Sequence, residues 1–309
     1  MPARVTLFVA LPRTDQRRVF RPARRVSWGT RIFAALVFFL AVGALAAFVV
    51  LVLPAQIATL SQSEGKELAT ARMGALDAAT SADALWTAIG KTGSLSLSDD
   101  QRQQEISRAQ ATEKAASDAL GHVQLAEGYL AQIDGIPFQP HASAVVATDR
   151  PALLHLEKAL GTVIKLAHGA TLQLSIARHV NQDALTIAGP LNQSLAARDW
   201  TTASRTAATI QQDLKSQETP AGDPEALFDP LWTSWMDAMV GYATTAQQFS
   251  LSSAAGQTQT AQQLARSMAA ATDQGNAAFR AAQANAAAWQ QKTVQPLRDS
   301  VQKELAAAG

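Results

Sequence analysis

From Ile32 to Leu53 the chain reads IFAALVFFLAVGALAAFVVLVL, without one charged or strongly polar side chain. About 20 such residues span the hydrocarbon core of a bilayer as a helix. A helix that is apolar all round has no face for water, so it must be covered by protein or by lipid. The segment therefore predicts one transmembrane helix over 32–53.

The flanks predict its orientation. Residues 1–31 hold eight arginines, among them Arg17, Arg18, Arg21, Arg24, Arg25 and Arg31, against the single acid Asp15, whereas the first basic residue after the span is Lys66. Arginine resists transfer across the membrane, so the basic side stays in the cytoplasm and the rest of the chain passes out. The apolar run is longer than the core of a cleaved signal peptide, and the triplet Ala44-Leu45-Ala46 that mimics a cleavage site lies inside it. The expectation is a retained signal-anchor and a single-pass protein of the cell membrane. Gly43 and Ala47, four apart, offer a small surface on which two such helices could pack.

Three regions follow: a basic cytoplasmic segment 1–31, the span 32–53, and an extracytoplasmic domain 54–309, with sub-bundles expected at 54–188 and 189–309. Of the 26 basic and 25 acidic residues in the chain, 18 and 24 fall in that last region. Nucleic-acid binding rests largely on neutralising phosphates, so a mildly acidic domain of this kind excludes nucleic acid as its partner. The chain has no cysteine. Disulfides, thiolate metal ligands and a thiol nucleophile are thereby ruled out.

Ala, Leu and Gln dominate the domain, and they lose little side-chain freedom in a helix. The fold class expected is all-α, an antiparallel bundle of long, Ala-rich helices. Gly90 and Gly93 mark the end of the first helix. Ser98 followed by Gln101 reads as a capping box that opens the next one, which runs to about Ile133. A loop is expected over 134–148, with Asp149 and Pro151 beginning a third helix. There Leu153, Leu156, Leu160, Val163, Ala167, Ala170, Leu174 and Ala177 alternate spacings of three and four, the apolar seam of a coiled-coil-like helix. It is expected to stop before Gly189-Pro190. ARDWTTA (197–203) and AGQTQTA (255–261), offset by 58 residues, read as equivalent turns. Pro224 suits a helix start, Phe228, Trp232, Trp235, Met239, Tyr242, Ala246 and Phe249 form an aromatic stripe, and Pro296 interrupts a last helix over 257–305.

No chemical motif accompanies this framework. Gly90-Lys91-Thr92 lacks the earlier glycine of a phosphate-binding loop, no two histidines stand four apart, and neither a nucleophile elbow nor a zinc-protease motif occurs. No cofactor, metal or catalytic residue is expected. The layout of anchor and helical domain resembles the outer portion of bacterial transmembrane receptors, without their second span and cytoplasmic output module. The leading expectation is a non-enzymatic scaffold that binds another envelope or membrane protein, or a second copy of itself. The alternative is a ligand-sensing module whose pocket uses Trp232, Trp235, Met239 and Tyr242, and an envelope enzyme comes last.

Overall fold

The computed structural model describes the backbone of residues 28–95, 97–136 and 140–309, and their side chains except at positions 30, 31, 91, 92 and 140–143. Arg17, Arg18, Arg21, Arg24 and Arg25, the side chain of Arg31, Pro137 and the His141 ring lie outside the described residues. Helices account for nearly all of what is described, and no strand occurs among the described residues.

The chain divides into two compact units, residues 1–54 and 55–309. Helix α1 (Trp28–Ala47) is followed by a π turn over Phe48–Val52. Phe33, Phe38, Phe39, Leu40 and Leu45 on α1 are all more than 60% exposed. Its apolar window has a mean hydropathy of 3.1 and is only 6% buried. Such a helix is long and apolar enough to cross a membrane.

The second unit is a helical bundle built from α2 (Leu53–Thr92) beyond its first two residues, α3 (Asp99–Asp134), α4 (Pro140–Thr186), the short α5 (Asn192–Ala196), α6 (Trp200–Gly222), α7 (Pro230–Ala254), α8 (Thr258–Thr293) and α9 (Gln295–Ala308). Helix α2 stops because Gly93 takes a left-handed φ of 73° and its N–H turns back to the Ile89 carbonyl at 2.8 Å. The expected capping box opens α3: the Ser98 hydroxyl accepts from the Gln101 N–H at 3.3 Å, and the Gln101 side chain accepts from the Ser98 N–H at 3.0 Å. Behind it Arg102, fully buried, donates to the carbonyls of Ser94 and Leu97 at 3.2 and 2.7 Å and to Asp99 at 2.5 Å. One side chain thus satisfies loop carbonyls that water cannot reach, which offsets the cost of burying its charge.

Two expectations about prolines fail. The loop placed over 134–148 is much shorter, because α4 starts at Pro140 and carries Pro151 in its interior. Proline is tolerated at a helix start, and further along the tertiary packing of Ala152, Leu153 and Leu156, all 8% exposed or less, overrides the lost hydrogen bond. Nor does the helix end before Gly189-Pro190: it passes through a π turn, Ile187–Leu191, into α5. The π spacing accommodates a proline that has no N–H to give to the α-helical ladder.

The apolar seam of α4 is buried throughout, with Leu153, Leu156, Leu160, Val163, Ala167, Ala170, Leu174 and Ala177 at 0–1% exposure. Helix α4 serves two cores. In the first, the N-terminal part of α4 packs with α2, α3 and α9. Trp86 of α2 is 1% exposed there and donates its indole N–H to the Leu166 carbonyl at 3.1 Å. Gly74 meets Ala119 so closely that an added Cβ would lie 2.9 Å from the alanine's. In the second, Ile176 and Val180 of α4 pack with Ile210 and Leu214 of α6 and Met236, Met239 and Ala243 of α7. The division does not follow chain order, since Val301 and Ala308 of α9 belong to the first core.

The two expected turns are equivalent in detail. Arg198 and Gly256 both take left-handed φ values, 59° and 71°. Around Arg198, the N–H groups of Ala197, Arg198 and Asp199 donate to the carbonyls of Gln193, Leu195 and Ser194. Those of Ala255, Gly256 and Gln257 donate to Leu251, Ser253 and Ser252, the same pattern displaced by 58 residues. Asp223 and Asp229 then cap two successive starts, a single 3-10 turn over Pro224–Ala226 and α7.

Between those starts Leu227 adopts a left-handed conformation, φ 47° and ψ 40°, which is costly for a side chain branched beyond Cβ. Packing holds it there. A Cβ on Gly169 of α4 would lie 2.7 Å from Leu227 Cδ1 and 2.8 Å from the Glu225 carbonyl oxygen. Leu227 belongs to the first core and its neighbours Ala226 and Phe228 to the second, so this contact pins the two together. Gly169→Ala is expected to lower stability by about 1–3 kcal/mol, as overpacking against fixed backbone does, read as a fall in the denaturation midpoint. An unchanged midpoint would show that the contact is slack.

Candidate functional site

Helix α7 carries the aromatic stripe, and the structure separates its members. Trp232 and Met239 face the second core at 8% and 6% exposure, while Trp235 and Tyr242 are only half-buried. The deepest positions on α7 are Met236, Ala243, Ala246 and Ser250, each fully buried. The stripe therefore lies beside the main contact line, with its two outer rings at the edge of the core.

Trp232, Trp235 and Phe279 of α8 form a closed triad, with ring centroids 5.2–5.6 Å apart and all pairs edge to face. That geometry sets the positive ring edge against the negative face. On one side of Trp235 lies a cavity of about 250 Å³ walled by Met239, Tyr242 and Ile187. The lining also includes Ala184, Ala188, Ala238, Ala271 and Gly275. Small side chains among the large ones leave the space open. At its rim the Tyr242 hydroxyl donates to Asn192 Oδ1 at 2.9 Å, and burial pushes the phenol pKa up, which keeps it a donor. The π turn that contains Pro190 supplies Ile187 and Ala188, so the irregular backbone helps shape the wall. Trp235 also borders a second cleft of about 450 Å³, lined further by Trp232, Phe279, Gln283, Gly90 and Gly93.

A third concavity was not foreseen. Between α4 and α6 a polar cleft of about 620 Å³ is bordered by His179, Asp183, Arg205, Thr209 and Asp213. Asp183 is 7% exposed and its Oδ2 has no hydrogen-bond partner. Burial first, then the charge of Asp213 and a hydrogen bond with it, push the Asp183 carboxyl up to about 7. His179 Nδ1 stands 3.3 Å from Asp213 Oδ2. These residues lie on separate helices, so sequence spacing carried no sign of them.

Each described histidine meets a carboxylate on another helix: His122 with Glu67 at 2.5 Å, His155 with Glu304 at 2.6 Å, His168 with Glu113 at 3.5 Å, and His179 with Asp213. The Glu304 carboxyl is held below its usual range, chiefly by the hydrogen bond with His155. Among the described residues no group of three or more acids and histidines is placed to hold a metal ion. Gly43 and Ala47 are exposed on α1, and nothing lies within 4 Å of where a Gly43 Cβ would be. No family model, curated protein or solved structure matches the chain.

The raised Asp183 carboxyl fixes the sign of a pH effect. Its protonated form favours folding, so that contribution is complete below the unfolded value of about 3.9 and is lost as pH rises through about 7. Asp183→Asn, which mimics the protonated acid, should raise the melting temperature at pH 8 and leave it nearly unchanged at pH 4. A melting temperature equal to that of the wild type at pH 8 would contradict the assignment.

Proposed function

We propose that the chain is a membrane-tethered, non-enzymatic helical domain that binds a small, largely apolar ligand in the cavity between α4, α7 and α8. The observation that carries this reading is a cavity of about 250 Å³ lined by Trp235, Met239 and Tyr242 together with alanines and Gly275. Ligand sites are concave and mostly apolar, with a few polar groups that fix orientation. Here the Tyr242–Asn192 pair supplies them. An apolar cavity of roughly 150 Å³ holds benzene, so one or two fused rings match the space.

In this reading the helices form an antiparallel bundle outside the cytoplasm, anchored by a retained N-terminal span. The arginine excess before the span and its absence just after it support that orientation. The cysteine-free chain permits a clean test. Thr14→Cys and Ser107→Cys, on opposite sides of the span, are exposed in turn to a membrane-impermeant maleimide on intact cells or spheroplasts. Labelling at Ser107→Cys and none at Thr14→Cys is the expected result, and the reverse pattern would overturn the topology.

Ligand binding is tested on the full chain in detergent. Indole and naphthalene should quench or shift tryptophan emission and raise the melting temperature, and Ala271→Phe, which fills the cavity, should weaken both effects at least tenfold. A flat response from the wild type, together with reproducible capture of a membrane protein, would favour the scaffold reading instead.

A further inference from the structure

The cleft between α4 and α6 is separate from the cavity behind Trp235, and its chemistry is of a different kind. Two carboxyl groups, Asp183 from α4 and Asp213 from α6, stand side by side. Asp183 is more than nine-tenths buried, yet its Oδ2 receives no hydrogen bond. A buried anion with no donor is costly, and a second carboxylate beside it makes the cost larger.

Three of the surrounding hydroxyls do not relieve it, because their protons are already committed to the helices. Thr186 donates to the Gln182 carbonyl at 2.8 Å, Thr209 to that of Arg205 at 3.1 Å, and Ser216 to that of Asp213 at 2.6 Å. What these side chains turn to the cleft is oxygen lone pairs. Gln182, Gln212, Arg205 and His179 also border the cleft and carry N–H groups, yet none of them is hydrogen-bonded to Asp183 Oδ2.

A histidine and an arginine face the same space. His179, about half exposed, is placed on the outer side of Asp213 at 3.3 Å, and Arg205 is an exposed rim residue whose charge acts on Asp199, the cap of α6. Neither is hydrogen-bonded to Asp183 Oδ2. Among the described residues no group of three or more acids and histidines is placed to hold a metal ion, so a divalent cation here would have only the two carboxylates and water. A group with several N–H donors and one positive charge fits the acceptors better, because each of its protons can take a separate lone pair.

We propose that this cleft is a binding site for a primary ammonium group, carried by a small aliphatic amine, with Asp183 and Asp213 as its counter-charges and the Thr209 hydroxyl as a further acceptor. The amine takes the position that a proton shared by the two carboxyls occupies at lower pH. Binding and protonation therefore compete.

The test uses the full chain in detergent and putrescine as the probe, with sodium chloride at matched ionic strength and magnesium chloride as comparisons. Putrescine is expected to raise the melting temperature by several degrees at pH 8 and to lose that effect at pH 5, where Asp183 holds its proton. Asp183→Asn should weaken putrescine binding at least tenfold at pH 8, and Thr209→Val severalfold, both measured by titration calorimetry. An equal shift with sodium chloride would reduce the effect to screening and overturn the site. A shift with magnesium in place of putrescine would overturn the choice of ligand, and unchanged affinity in Asp183→Asn would overturn the role of the carboxyl pair.

Discussion

The burial of the α4 seam is the interaction on which the compact unit depends. Leu153 to Ala177 supply an apolar line at 0–1% exposure that packs into the first core, while Ile176 and Val180 of the same helix join the second. Each large side chain removed from water there contributes roughly 1.5–3 kcal/mol. Small residues then let the partners approach, as Gly74 does for α2 and α3 and Gly169 does for the Leu227 loop. Beyond Ala177 the same helix changes character. Ala184, Ile187 and Ala188 border the apolar cavity, while His179, Asp183 and Thr186 border the polar cleft. One helix thus supplies both a structural core and two recesses of opposite chemistry.

Much of this was legible wherever the determinant is local. The capping box at Ser98 and Gln101, the left-handed glycines at Gly93 and Gly256, and the interruption at Pro296 are each set by a few adjacent residues, and each falls where the chain indicates. The seam was legible because spacings of three and four have one helical meaning. Prolines were misread where packing competes with local preference. Pro151 and Pro190 carry a penalty that an isolated helix would not bear, and their neighbours in the cores compensate for it.

The candidate sites were legible in part, for a related reason. The aromatic stripe announced Trp235 and Tyr242, but periodicity does not distinguish a ring in the core from one at its edge, and Met236 and Ala243 turned out to be the deeper line. The polar cleft was invisible because it depends on the distance between Asp183 and Asp213, thirty residues apart on different helices. A carboxylate on a helix reads as solvated until a neighbour covers it. The histidines illustrate the same limit: four lone residues in the sequence become four bridges between helices.

The placement of α9 bears on the order in which such a chain can be assembled. The core around Trp86 and Leu160 includes Val301 and Ala308, and the Arg72 guanidinium closes onto the Ala308 carbonyl at 2.6 Å, across 236 positions of the chain. Until Gln295–Ala308 have been synthesised, the earliest helices of the domain have an uncovered apolar flank. Pairings so distant along the chain form late and slowly, and exposed apolar surface in the interval invites aggregation. A nascent chain of this design therefore needs protection on its route to the folded state, and the demand falls on the helices that emerge first.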